Sequence, residues 1–190
     1  MRLFIAVDVD EKVKAGAAGL IAALTECGAG VKWTEPANLH LTLAFLGDTP
    51  PGRLAALEGV LASTAAGSGP FEISFDRIGA FGAPLRPRVL WLGVGAGAKV
   101  LSELAGSLRA SLAENGFFVD EPDREFAAHL TLGRVRGPRA GAALSRALEA
   151  CRLPSGLNCR AERIVLYRSR LSSSGPAYEA LNVRALGTES

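Results

Sequence analysis

The chain contains two histidines, His40 and His129, and both open the same tetrapeptide, HLTL, at 40–43 and 129–132. Each histidine is followed two residues later by a threonine, Thr42 or Thr131. Side chains alternate between the two faces of a strand. The pattern therefore predicts Leu39, Leu41, Leu43 and Phe45 on one face, and His40, Thr42 and Ala44 on the other. In the second copy Leu130 and Leu132 oppose His129, Thr131 and Gly133. The leucines suit a core. The His/Thr face, beside a small Ala44 or Gly133, suits a groove.

A lone histidine on a strand is more often structural than catalytic, threonine is a common strand residue, and leucine is abundant here. The pair is different because it uses every histidine in the chain. Metal binding is not expected. Two imidazoles fall short of the three or four ligands such sites need, and there is no H-x-x-x-H or cysteine pair. Asp8 and Glu125 could join them only through folding. A nucleophile is not expected either, because no G-x-S-x-G elbow is present. Acid–base work on a phosphate fits best. Imidazole titrates near neutrality, so one ring can take a proton while the other gives one. The two hydroxyls can donate to phosphate oxygens. Because the two motifs are nearly identical, the residues leave open which histidine is the acid.

The positioning elements follow from periodicity. Residues 2–9 read as a strand. Residues 11–26 read as a helix with Val13, Ala17, Leu20 and Leu24 on one side. Two strands follow at 31–34 and 39–47. Pro50 and Pro51 open a helix with Leu54, Leu57 and Leu61 as its stripe, and a strand spans 71–81. The order then recurs: a strand at 88–94, a helix at 98–114 with Leu101, Leu104, Leu108 and Leu112 in register, and a strand at 126–135. A helix at 138–151 follows, led by Pro138 with Leu144, Leu148 and Cys151 aligned, and then a strand at 161–169. Ser172 to Gly175 reads as a turn. Leu3 to His40 is 37 residues and Leu90 to His129 is 39; His40 to Ile73 is 33 and His129 to Ile164 is 35. Matching intervals predict an internal duplication, with repeats 1–87 and 88–170 and a final strand 177–186 that has no earlier equivalent. The expected fold is α+β over 1–190. It is a single bilobal domain of duplicated strand–helix units, whose mostly antiparallel sheets face a central cleft.

Composition sets outer bounds. Hydrophobic residues make up 48% of the 190, as in an ordinary globular protein. A net charge of +2 is too small to demand a nucleic-acid partner by bulk electrostatics. Cys27, Cys151 and Cys159 are scattered, which fits idle thiols in a reducing cytosol. No uncharged apolar run approaches a membrane span, so a cytoplasmic chain with no membrane partner is expected.

The paired HLTL motifs resemble the two H-x-T-x signatures of the two-histidine (2H) phosphoesterases. The flanking RLFIAVDV, VKWTEPANLHLTLAFLGD, GAFGAPLRPRVLWLGV, FAAHLTLGRVR and LYRSRLSSSGPAYEAL resemble the RNA 2′,3′-cyclic phosphodiesterase branch, historically called bacterial 2′-5′ RNA ligases. The resemblance spans almost the whole chain. It implies hydrolysis of a terminal RNA 2′,3′-cyclic phosphate to a 2′-phosphomonoester, with no metal and no other cofactor. It implies His40 as proton donor, His129 as proton acceptor, and Thr42 and Thr131 as phosphate-gripping groups. The partners would be RNA ends or nucleotides bearing a 2′,3′-cyclic phosphate, and the protein would be a monomer. The reverse ligation and a non-catalytic RNA-end module are the alternatives. Two positions depart from the pattern. Ala128 stands where the family often has proline. Arg134 matches the family's arginine, yet strict alternation puts it on the leucine side. Either a bulge at Gly133 turns it to the cleft, or it faces solvent at the strand end. Trp33 and Phe81 could stack a base or pack a lobe. Arg86, Arg88, Arg136, Arg168 and Arg170 could rim an RNA site or simply be solvated.

Overall fold

The computed structural model describes residues 1–28, 30–83, 86–119, 126–137, 141–172 and 175–187. Pro138, Glu125 and the middle of the predicted 172–175 turn lie outside the described residues. The elements run β1 (Arg2–Asp8), α1 (Glu11–Thr25), β2 (Val31–Trp33), β3 (His40–Asp48), α2 (Leu54–Ala66), β4 (Phe71–Ala83), β5 (Arg86–Val94), α3 (Ala98–Glu114), β6 (His129–Val135), α4 (Gly141–Ala150), β7 (Asn158–Ala161), β8 (Arg163–Ser172) and β9 (Gly175–Ala185). Short 3-10 turns at Pro36–Asn38 and Pro51–Arg53 lead into β3 and α2.

Each helix forms for a local reason. Asp10 caps α1 by accepting from the Val13 N–H at 2.8 Å, which satisfies one of the donors a helix start leaves unpaired. Val13, Ala17, Leu20 and Leu24 are all buried, as their spacing predicts. In α3 the leucines at 101, 104, 108 and 112 are buried. Leu144 anchors α4, while Leu148 and Cys151 are only partly covered. Among the described residues, the buried faces of the four helices join Leu39, Leu41, Leu43, Leu130 and Leu132 in one hydrophobic cluster.

Among the described residues, nine strands form one sheet in the order β7-β4-β5-β6-β3-β1-β8-β9, with β2 also on β6. Every pairing is antiparallel. The two expected sheets are thus continuous, joined where Leu41 pairs with Leu130. The order also crosses the repeats. β4 closes the first strand–helix unit, yet it pairs with β5 of the second. β8 closes the second, yet it pairs with β1 of the first. The strand at 161–169 resolves into two: β7 ends at Ala161 and pairs with β4, and β8 starts at Arg163. Curvature brings distant strands together, so that the Asn38 amide on the approach to β3 donates to the Pro176 carbonyl of β9 at 2.9 Å.

Candidate active site

The two HLTL strands lie side by side and antiparallel. With Leu41 opposite Leu130, the register sets His40 across from Thr131 and Thr42 across from His129. Leu41 and Leu130 are buried at 1% and 0% exposure, and all four His/Thr side chains are partly exposed. The pattern of leucines in and His/Thr out therefore holds through Leu43 and Leu132.

Beyond those leucines strict alternation fails. Opposite β3, Ala6 pairs with Thr42 and the next residue back, Ile5, pairs with Ala44, so Leu43 is an extra residue. Opposite β6, Trp91 pairs with Thr131 and Leu90 pairs with Gly133, so Leu132 is extra. Each strand carries a bulge at its second leucine, and a bulge shifts the faces by one. Ala44 is consequently fully buried, and Phe45, expected in the core, is 46% exposed. Gly133 is buried against β2, where a Cβ would lie 2.7 Å from Val31 Cγ1. Arg134 is exposed. It stands near the Tyr178 phenol, which burial pushes up and the charges of Arg134 and Arg2 pull back. The bulge is at Leu132 rather than at Gly133, and past it Arg134 is exposed and close enough to the Tyr178 phenol for its charge to act there. The expectation of a small Ala44 or Gly133 beside the His/Thr pair is overturned for the same reason.

The carbonyl of each bulged leucine has a partner outside the strand that its bulge faces, and a buried carbonyl left unpaired would be costly. Leu132 O accepts from the Thr34 N–H at 2.8 Å. Leu43 O accepts from Arg109 Nε, on α3, at 3.0 Å.

Both imidazoles are pinned alike. His40 Nδ1 donates to the Asn38 carbonyl at 2.7 Å, and His129 Nδ1 donates to the Ala127 carbonyl at 2.6 Å. With Nδ1 carrying the proton in each ring, Nε2 is the nitrogen left to exchange one in the neutral form. His40 Nε2 lies 3.0 Å from Thr42 Oγ1. Aromatic rings flank both. Phe4 and Tyr178 lie 4.8 Å and 5.3 Å from the His40 ring, the tyrosine edge-on. Phe81 meets His129 edge-on at 4.9 Å and Trp91 at 5.2 Å. Burial lowers the His40 pKa below the ordinary 6.5. The Asn38 hydrogen bond and then the Asp8 charge oppose that shift, and His129 adds to it. Of the two suggested stacking residues, Phe81 is at the site, whereas Trp33 packs against the core beside Gly133.

The surroundings narrow the chemistry further. Arg168 and Arg170 both pair with Glu179, at 4.0 and 2.8 Å, and Arg86, Arg88, Arg136 and Arg170 are the exposed members of the suggested rim. Burial pushes the Cys159 thiol up to about 11, which makes it a poor nucleophile. Among the described residues, no three His, Cys, Asp or Glu side chains converge, and no helix is long and apolar enough to cross a membrane.

The family model of LigT-like phosphoesterases matches the chain twice, over residues 7–91 and 92–178. The chain belongs to the LigT-like phosphoesterase family. Among LigT-like relatives, an RNA 2′,3′-cyclic phosphodiesterase of Methanothermobacter thermautotrophicus is 37% identical over 183 residues, covering 96% of this chain and 97% of its own. The crystal structure of TT0787 of Thermus thermophilus superposes with a TM-score of 0.83 at 30% identity, covering 100% of both chains. Escherichia coli LigT in complex with 3′-AMP superposes with a TM-score of 0.75 at 28% identity, covering 98% of both.

Several residues of this LigT-like site have no motif to announce them. Phe4 and Asp8 come from β1, Tyr167 from β8 and Tyr178 from β9. Phe4 and Asp8 lay within reach of the sequence: they share strand parity, and Asp8 is a charge closing an apolar strand. The tyrosines needed the sheet order, which places β8 beside β1.

Proposed function

We propose that the protein hydrolyses a terminal RNA 2′,3′-cyclic phosphate to a 2′-phosphomonoester by metal-independent two-histidine acid–base catalysis. The observation that carries the reading is the antiparallel register of the two motifs. It sets two imidazoles and two hydroxyls around one point, with both Nδ1 atoms held by the carbonyl two residues back. His129 Nε2 takes a proton from water, the resulting hydroxide bonds to phosphorus, and the P–O3′ bond breaks. His40 Nε2 gives its proton to the departing 3′-oxygen. One water is consumed, and the next turnover needs only a proton passed from His129 back to His40. Thr42, Thr131 and Arg134 hold the non-bridging oxygens.

Burial disfavours the charged form of His40. An anionic phosphate arriving beside it favours that form, so substrate binding itself arms the acid. The relatives named as RNA 2′,3′-cyclic phosphodiesterases and the nucleotide complex of LigT support this substrate class. We read residues 1–190 as one bilobal domain, monomeric and cytoplasmic, and the two successive family matches support the duplication.

The decisive experiment mixes the protein and EDTA with an oligonucleotide ending in a 2′,3′-cyclic phosphate. A 2′-phosphate product is expected. A 3′-phosphate product, or turnover that stops on chelation, would overturn the reading.

A further inference from the structure

The two histidines sit in equivalent rows of the sheet whose charges differ. Opposite His40 is Asp8, and beyond it the β1–β8 register reaches Arg163. Opposite His129 is Gly93, and beyond it is Arg77. Each row therefore reads histidine, then Asp8 or Gly93, then arginine. In the first row Arg163 is held by Asp8 at 3.2 Å, and Asp8 also accepts from the Tyr167 hydroxyl at 2.5 Å. In the second row there is no carboxylate in the middle. The Arg77 side chain lies across Gly93 so closely that a Cβ there would sit 2.7 Å from its Cγ and Nε, and 2.9 Å from Trp91 Cζ3. A side chain at position 93 would have to displace both Arg77 and Trp91, so the fold does not repeat the acid there.

We propose that this broken symmetry assigns the roles, with Asp8 and Arg77 as positioning residues that make His40 the proton donor and His129 the proton acceptor. The proposal rests on the two-histidine reading above. A carboxylate beside an imidazole stabilises its protonated form, and a guanidinium favours the neutral one. Other charged or titratable groups also face His40: Tyr167 from β8, Tyr178 from β9 and His129 from β6, with Arg2 and Arg134 at the Tyr178 phenol. The Tyr167 phenol is pushed well up, first by burial and then by its bond to Asp8, so it stays neutral and donates. Asp8 supplies the negative charge among these groups. Arg77 is well exposed and also pairs with Asp76 at 3.3 Å, so solvent screens it and its influence is the smaller.

The test uses Asp8→Asn, which keeps an acceptor for Tyr167 and removes the charge. Loss of turnover in His40→Ala, measured first on the cyclic-phosphate oligonucleotide, checks the underlying reading separately. In Asp8→Asn the high-pH limb of the rate profile should move to lower pH. At the wild-type optimum kcat should fall about tenfold with KM held, and Asp8→Glu should restore it. Histidine-labelled protein gives two imidazole signals by NMR, and the His40 signal should titrate at lower pH in Asp8→Asn whether or not turnover survives. Arg77→Met should move the low-pH limb upward and serves as the second variant should Asp8→Asn not fold. A shift of the low-pH limb in Asp8→Asn would make His40 the base and overturn the assignment. Unmoved limbs with unmoved imidazole titrations would overturn it as well.

Discussion

The two HLTL strands follow one design with different fillings. Both pin Nδ1 to the carbonyl two residues back and both bulge at the second leucine. Where β3 faces Ala6 and Asp8, β6 faces Trp91 and Gly93. Where the second bulge is satisfied by the Thr34 backbone N–H just past β2, the first is satisfied by the Arg109 side chain. Five residues past each histidine, the second strand exposes Arg134 and the first exposes Phe45. The backbone repeats what catalysis needs twice, namely two oriented imidazoles. The side chains differ where the reaction needs opposite things from them, because one ring must give a proton while the other takes one.

Removing either ring is the harshest way to break this pairing. His40→Ala and His129→Ala should each lower kcat by about 100-fold or more on a cyclic-phosphate oligonucleotide. The double variant should be little worse than either single, because the two act as a unit; full activity in either single variant would end the two-histidine account. Next in size is Arg134→Ala, which should raise KM about tenfold by removing a charge-assisted contact to phosphate. Phe45→Ala, its counterpart, should leave KM within about twofold; equal effects would mean that Arg134 does not reach the substrate. Arg109→Met should cost about 1–3 kcal/mol in urea unfolding by orphaning the Leu43 carbonyl, and an unchanged midpoint would show that the carbonyl finds another donor. The smallest effect concerns pH. Because burial lowers the His40 pKa, the unfolded chain binds that proton first as pH falls. This part of the stability is complete above 6.5 and drains away below it. His40→Asn should therefore lose less stability than wild type between neutral and mildly acidic pH; parallel losses would rule out this linkage.

The helices and the leucine sides of both motifs were legible because each rests on a period that a single chain segment carries. Leu101, Leu104, Leu108 and Leu112 announce α3 without reference to anything else. The bulges were not legible. Leu43 and Leu132 are ordinary strand residues, and the extra residue is defined only against the partner strand, so Ala44, Phe45 and Arg134 change sides for a reason outside their own sequence. Tyr167 and Tyr178 were invisible as site residues for a similar cause. They reach His40 only because β8 lies beside β1 and the sheet curls, and register between segments more than 150 residues apart leaves no local mark.

The crossing of the repeats has a further consequence. Each unit lends its closing strand to the other, so the arrangement is that of a strand-exchanged dimer written into one polypeptide. Cut at its midpoint, neither fragment would hold a complete sheet, and each would expose an edge shaped for the other. Damage therefore travels crosswise. Loss of the last two strands strips Tyr167 and Tyr178 from the histidine nearest the amino terminus, while His129, closer in sequence, keeps its Phe81 wall from the opposite half.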